Sequence, residues 1–133
     1  MLSEVERENL AVVRRGLAAL ASGDIPEFAR CIHADAVWHL APAGTLKGHY
    51  RGRDQILGFF AHVRDETAGT FVVEPLAIAA AGDRVFVQHA ARATRKGLTA
   101  EWHSVLVFTL AAGTATAVHH YSIDYPAVAR FWD

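Results

Sequence analysis

Apolar residues recur at helical spacing through the first half of the chain and in long runs rich in Val, Phe, Thr and Ala after Thr70. Ser3-Glu4-Val5-Glu6 has the form of a capping box, in which a serine and a glutamate three residues apart satisfy each other's backbone N–H groups. Val13, Leu17 and Leu20 then follow on one face and Gly23 provides a stop, so a helix is predicted over Ser3–Ser22. Asp24-Ile25-Pro26-Glu27 is a second start, with an aspartate able to cap and a proline tolerated in the first turn, and it predicts a short helix to about His33. A brief strand over Ala36–Leu40, a loop around Pro42 and Gly44 and a return through Leu46 to Tyr50 come next. From about Arg53, Ile56, Phe59, Phe60 and Val63 share one face of a third helix that ends by Gly69.

Gly82-Asp83, Lys96-Gly97 and the Ala112-Gly113 region divide the second half into hairpins. If Lys96 and Gly97 are the loop residues, Arg92 faces Glu101 and Thr94 faces Thr99, both sensible cross-strand pairs. That register gathers Val85, Val87, His89 and Ala91 with Phe108, Leu106, Ser104 and Trp102 on one inward face. Without bulges, the neighbouring turns add Ile78, Leu76, Glu74 and Val72 on one side and Ala117, His119, Tyr121 and Ile123 on the other. Pro75 argues for an edge or a bulge near Glu74, because proline cannot donate to a ladder. Helices followed by strands predict an α+β chain: N-terminal helices in the concave face of a curved antiparallel sheet, a short C-terminal helix, and one domain over residues 1–133.

Composition narrows the partners. Thirteen Lys and Arg against fourteen Asp and Glu leave no electrostatic footprint for nucleic acid or an anionic membrane. No stretch reaches the ~20 apolar residues of a spanning helix. The acidic, helix-like start does not read as a signal peptide, so a cytoplasmic setting is expected. Cys31 is alone, which excludes an internal disulfide and a cysteine-based zinc site, and reads as a buried thiol. Eight histidines include no His-x-x-x-His pair for a helix, and His119 and His120 point to opposite sides of a strand, so no metal is expected.

Asp35-Ala36-Val37-Trp38-His39, Leu46 through Asp54, Phe59-Phe60, Gly69-Thr70-Phe71, and Asp124 followed by Phe131-Trp132 together resemble SnoaL-like proteins of the nuclear-transport-factor-two-like superfamily over nearly the whole chain. The resemblance implies the cone-shaped α+β fold and dimers built sheet to sheet. It leaves the chemistry open, because the superfamily holds ketosteroid isomerases, polyketide cyclases, epoxide hydrolases, dehydratases and members without known chemistry. Ketosteroid isomerases place a catalytic carboxylate where this chain has Leu40, and an oxyanion-hole tyrosine on a first helix that here contains none. The arginine and paired carboxylates of limonene-type epoxide hydrolases cannot be placed either. Asp124, near the end of the last strand, is at the position that resembles the acid–base aspartate of SnoaL-type cyclases.

Two readings compete at each candidate. Asp124 is an acid or base, or the cap of a last helix, since Asp124-Tyr125-Pro126-Ala127 repeats the form of Asp24-Ile25-Pro26-Glu27. On the inward face His89 would be the acid–base residue, Glu74 would orient it and Tyr121 would donate to a developing oxyanion, with Ser104 and His119 beside them; alternatively these groups only satisfy one another. Trp38, Leu40, Phe59, Phe60 and Trp102 are expected in a pocket wall or in the core. The functional expectation is cofactor-free acid–base catalysis, as in an isomerase, cyclase or hydrolase, on a small apolar or polyketide-like molecule. Its rival is a ligand-binding or dimerising domain without catalysis. A homodimer is expected on the outer sheet face, where Phe86, Val105 and Val107 are apolar.

Overall fold

A computed structural model describes residues 1–43 and 46–133. In chain order the elements are α1 (Glu4–Ser22), α2 (Ile25–Arg30), β1 (Ile32–Ala43), β2 (Leu46–Arg51), α3 (Arg53–Glu66), β3 (Val72–Ala81), β4 (Arg84–Arg95), β5 (Leu98–Ala111), β6 (Thr114–Ser122) and α4 (Tyr125–Trp132). The strands form one six-stranded sheet in the order β2-β1-β6-β5-β4-β3, antiparallel except where β1 runs parallel to β6. One face of that sheet packs against the helices, giving the expected α+β architecture. No described helix is long and apolar enough to cross a membrane.

The helix signals act as the residue chemistry requires. The Ser3 hydroxyl accepts from the Glu6 N–H at 3.1 Å while the Ser3 N–H donates to the Glu6 carboxylate at 2.8 Å. The other Glu6 oxygen takes the Gly82 N–H at 2.9 Å, which fixes the start of α1 to the β3–β4 turn. Gly23, with φ of 76°, supplies the left-handed end that an L side chain would resist. Asp24 caps α2, but that helix ends at Arg30 rather than near His33, and β1 is far longer than Ala36–Leu40. The reason is tertiary. Ile32 already pairs with Ala115 of β6, and the Ala115 N–H donates to Cys31 O at 2.9 Å. The loop expected around Pro42 and Gly44 is partly accounted for: β1 continues through Ala43, and Gly44 lies outside the described residues.

The β4–β5 register is the expected one, with Arg92 opposite Glu101, Thr94 opposite Thr99 and His89 opposite Ser104. Val85, Val87, His89, Ala91, Trp102, Ser104, Leu106 and Phe108 all lie buried. Bulges correct the register on both sides. In β3 the pairing slips between Pro75 and Ala77, so Val73 rather than Glu74 comes opposite Ala91, and Val72, Glu74 and Leu76 are exposed. In β6 the turn is even, as expected, but the register shifts next to Thr109 and Leu110. That one-residue slip exchanges the faces: Val118, His120 and Ser122 point inward, while His119 and Tyr121 point out.

Candidate functional site

A cavity of ≈ 40 Å³ lies between the sheet and the helices. It holds on the order of three waters, or a group of similar size. Leu40 of β1, Phe59, Phe60 and Val63 of α3, and Val128 and Trp132 of α4 line it together with Phe71. His89 and Ala91 of β4, Trp102 of β5, and His120 and Ser122 of β6 complete the wall. Among the described residues its lining is aromatic and aliphatic apart from two histidines and a serine, with no charged side chain.

Helix α4 closes one end because Asp124 starts it and Arg95 holds its far end. The Asp124 carboxylate accepts from the Ala127 N–H at 3.1 Å, an N-cap bond that turns the chain from β6 back over the sheet. Arg95, at the end of β4, donates to the Phe131 and Asp133 carbonyls at 3.1 and 3.2 Å and pairs with Glu66 of α3 at 3.0 Å. Val128 and Trp132 are thereby fixed against the cavity.

The polar groups of the pocket are two imidazoles and the Ser122 hydroxyl. His89 is 2% exposed, and neither of its ring nitrogens makes a hydrogen bond of good geometry, although the Ala90 backbone lies close enough to favour its charged form weakly. Burial pushes its pKa down to about 4, so the ring is neutral at pH 7. His120 lies with its ring centroid 5.8 Å from that of His89, and its Nδ1 is likewise buried without a partner. Burial first and the His89 ring second bring its pKa down to about 3. Behind them the Ser104 and Ser122 hydroxyls meet at 3.2 Å, and Trp38 packs edge-on to His120 at 6.2 Å with its indole N–H buried and unpartnered.

The expected inward polar row is therefore half corrected. His89, Leu40, Phe59, Phe60 and Trp102 reach the cavity; Ser104 and Trp38 sit fully buried beside it. Glu74 and Tyr121 are exposed on the other face, Glu74 because of the bulge after Pro75 and Tyr121 because of the slip in β6. His119 is on that outer face too, stacked on His39 with centroids 4.4 Å apart. Asp124 is an exposed helix cap outside the cavity wall. His120 and Ser122 are the pocket residues that strand periodicity missed. The extra residue is Thr116, which has no pairing partner on β5 because Ala115 pairs with Leu110 and Ala117 with Thr109. No group of three or more His, Cys, Asp or Glu side chains among the described residues is arranged to hold a metal ion.

The model of the SnoaL-like domain matches residues 13–120 of the chain. An uncharacterised protein of Mycobacterium tuberculosis is 27% identical over 125 residues, spanning 93% of this chain and 95% of that relative. The structure of Bal32a, from a soil-derived mobile gene cassette, is 29% identical with a TM-score of 0.95, covering 98% of this chain and 100% of its own. TerC, co-crystallised with polyporic acid, is 27% identical with a TM-score of 0.82, over 93% of this chain and 97% of its own.

Proposed function

The chain belongs to the SnoaL-like domain family, and on that premise we propose that its cavity binds a small, uncharged, largely apolar molecule and that His89 and His120 do acid–base work on it without a cofactor. The observation that carries this reading is the set of buried imidazole nitrogens without a protein hydrogen bond of good geometry on the wall of an apolar cavity. Leaving a buried polar atom unpaired costs roughly 1–3 kcal/mol. Groups kept at that cost are ready to hydrogen-bond whatever enters.

The chemistry follows from the protonation states. A neutral imidazole offers one N–H and one lone pair. With folded pKa values of about 4 and about 3, both rings are neutral at pH 7, so each can accept a proton from one ligand atom or donate a hydrogen bond to another. The lining favours a neutral carbonyl, hydroxyl or epoxide compound over a carboxylate, because no cation among the described residues lies on the wall to balance a negative charge. TerC, a relative of similar fold, was co-crystallised with polyporic acid, which agrees with a small-molecule ligand. A ligand larger than the ≈ 40 Å³ cavity must displace α4 or the Phe59–Phe60 wall.

The test follows the His89 and His120 ring signals by NMR while small cyclic ketones, lactones or epoxides are added, with His89→Gln and His120→Gln as controls. Ligand-dependent shifts of both rings that vanish in the variants support the proposal. Rings that respond to no compound leave both histidines structural and favour a domain without catalysis.

The outer face supports a second reading, a homodimer. Phe86 is 39% and Tyr121 49% exposed, on the sheet face away from the helices. Val105 and Val107 lie between them, and an apolar strip of this kind suits pairing with a second copy.

A further inference from the structure

Three histidines stand side by side across three adjacent strands on the outer face, and the cavity has no use for them. His49 of β2 is opposite His39 of β1, and His39 is opposite His119 of β6. The Nδ1 atoms of His39 and His49 are 2.7 Å apart, with ring centroids at 4.8 Å and planes at 77°. His119 lies flat on the other side of His39, centroids 4.4 Å apart and planes within 15°.

We propose that His39 and His49 form a two-nitrogen chelate for a divalent late first-row metal ion, taking Cu²⁺ ahead of Ni²⁺ and Zn²⁺. Imidazole nitrogen suits these ions, and the order is that of their general affinity for nitrogen sites. Two donors bound at 2.0–2.1 Å to one ion lie about 3 Å apart, so the two nitrogens already stand near the required separation, and the rings must turn until both lone pairs aim at an ion beside the line between them. In the metal-free pair one ring donates Nδ1–H to the other. On binding, that ring moves its proton to Nε2, both Nδ1 lone pairs face the ion, and no net proton is released.

Among the described residues no third His, Cys, Asp or Glu joins the pair as a ligand, which leaves the remaining coordination positions to water. His49 is exposed and His39 half-buried, so the ion sits at the surface. His119 is stacked rather than convergent. It is a positioning residue that holds the plane of His39, with Tyr121 stacked in turn at 6.4 Å. Arg51 is the cation near enough to be felt by His39, and it weakens a dication without blocking the site. The spacing arises from strand pairing of residues ten apart in sequence, which no local metal motif would show.

The experiment titrates the full chain with Cu²⁺ in a non-chelating buffer, reading affinity by calorimetry and nitrogen coordination by electron paramagnetic resonance. One equivalent with a two-nitrogen spectrum is expected. His39→Asn and His49→Asn should each weaken it by more than about tenfold, and His119→Asn by about tenfold, the range for groups that orient a ligand. His62→Asn, on exposed α3 surface, should leave binding unchanged. Unfolding curves matching the parent show that a variant's loss is not a folding defect. Binding that survives His49→Asn, or that scales with the total number of histidines, overturns the proposal.

Discussion

His89 and His120 face each other at 5.8 Å although β5 lies between their strands. The diagonal is open because β5 presents Ser104 between them, and its small hydroxyl turns to Ser122 instead of filling the space. A leucine at position 104 would fill the gap that the two rings share.

The same pair makes stability depend on acid. The folded pKa of His89, about 4, is below the ordinary value of 6.5, so below pH 6.5 the unfolded chain binds the proton that the folded chain refuses. Stability is full above pH 6.5 and is lost progressively as pH falls towards 4, by roughly 2 kcal/mol at pH 5 from this residue. His120 adds in the same direction. Urea unfolding at pH 7 and pH 5 should show the fall, and His89→Gln should reduce it. An unchanged difference in the variant means His89 is not the group that resists protonation.

Removing the Asp124 cap should cost about 1 kcal/mol, because the Ala127 N–H loses its acceptor at the start of α4. For Asp124→Ala a melting temperature lower by a few degrees is expected, with most of it restored in Asp124→Ser. Serine as damaging as alanine would mean that the carboxylate does more than cap.

Gly16 lies buried in the middle of α1, beside a second, apolar cavity of ≈ 10 Å³. A Cβ built there comes no closer than 3.5 Å to Cys31 Cβ, an ordinary contact. Gly16→Ala should therefore gain the helix propensity of alanine, roughly 0.5–1 kcal/mol, without overpacking. Thermal unfolding checks this. A lower melting temperature would show that α1 cannot accept a methyl group against Cys31 and Phe28.

If the outer face joins two copies, Phe86→Lys should separate them, because a charge must then be buried in the interface. Light scattering should give twice the 14.5 kDa chain mass for the parent protein and the single mass for the variant. A parent mass of one chain removes the dimer reading.

Local chemistry made much of the molecule legible. The Ser3–Glu6 box, the Asp24 cap, the apolar face of α3 and the Lys96-Gly97 hairpin each depend on residues within a few positions of one another, so pattern alone determined them, whereas at Asp124 pattern left a cap and an acid–base residue both open. Placing His89 inward opposite Ser104 needed only that hairpin's register. Tertiary structure decided the rest. A strand's side-chain period of two makes a single extra residue reverse every later assignment, and the bulges after Pro75 and beside Thr109–Leu110 did so for Glu74, His119, Tyr121 and His120. The parallel pairing of β1 with β6 brings residues some eighty positions apart into register, which lengthens β1 and sets His39 beside His119. Nothing local encodes that partner, because its energy comes from a ladder that exists only once the whole sheet has assembled.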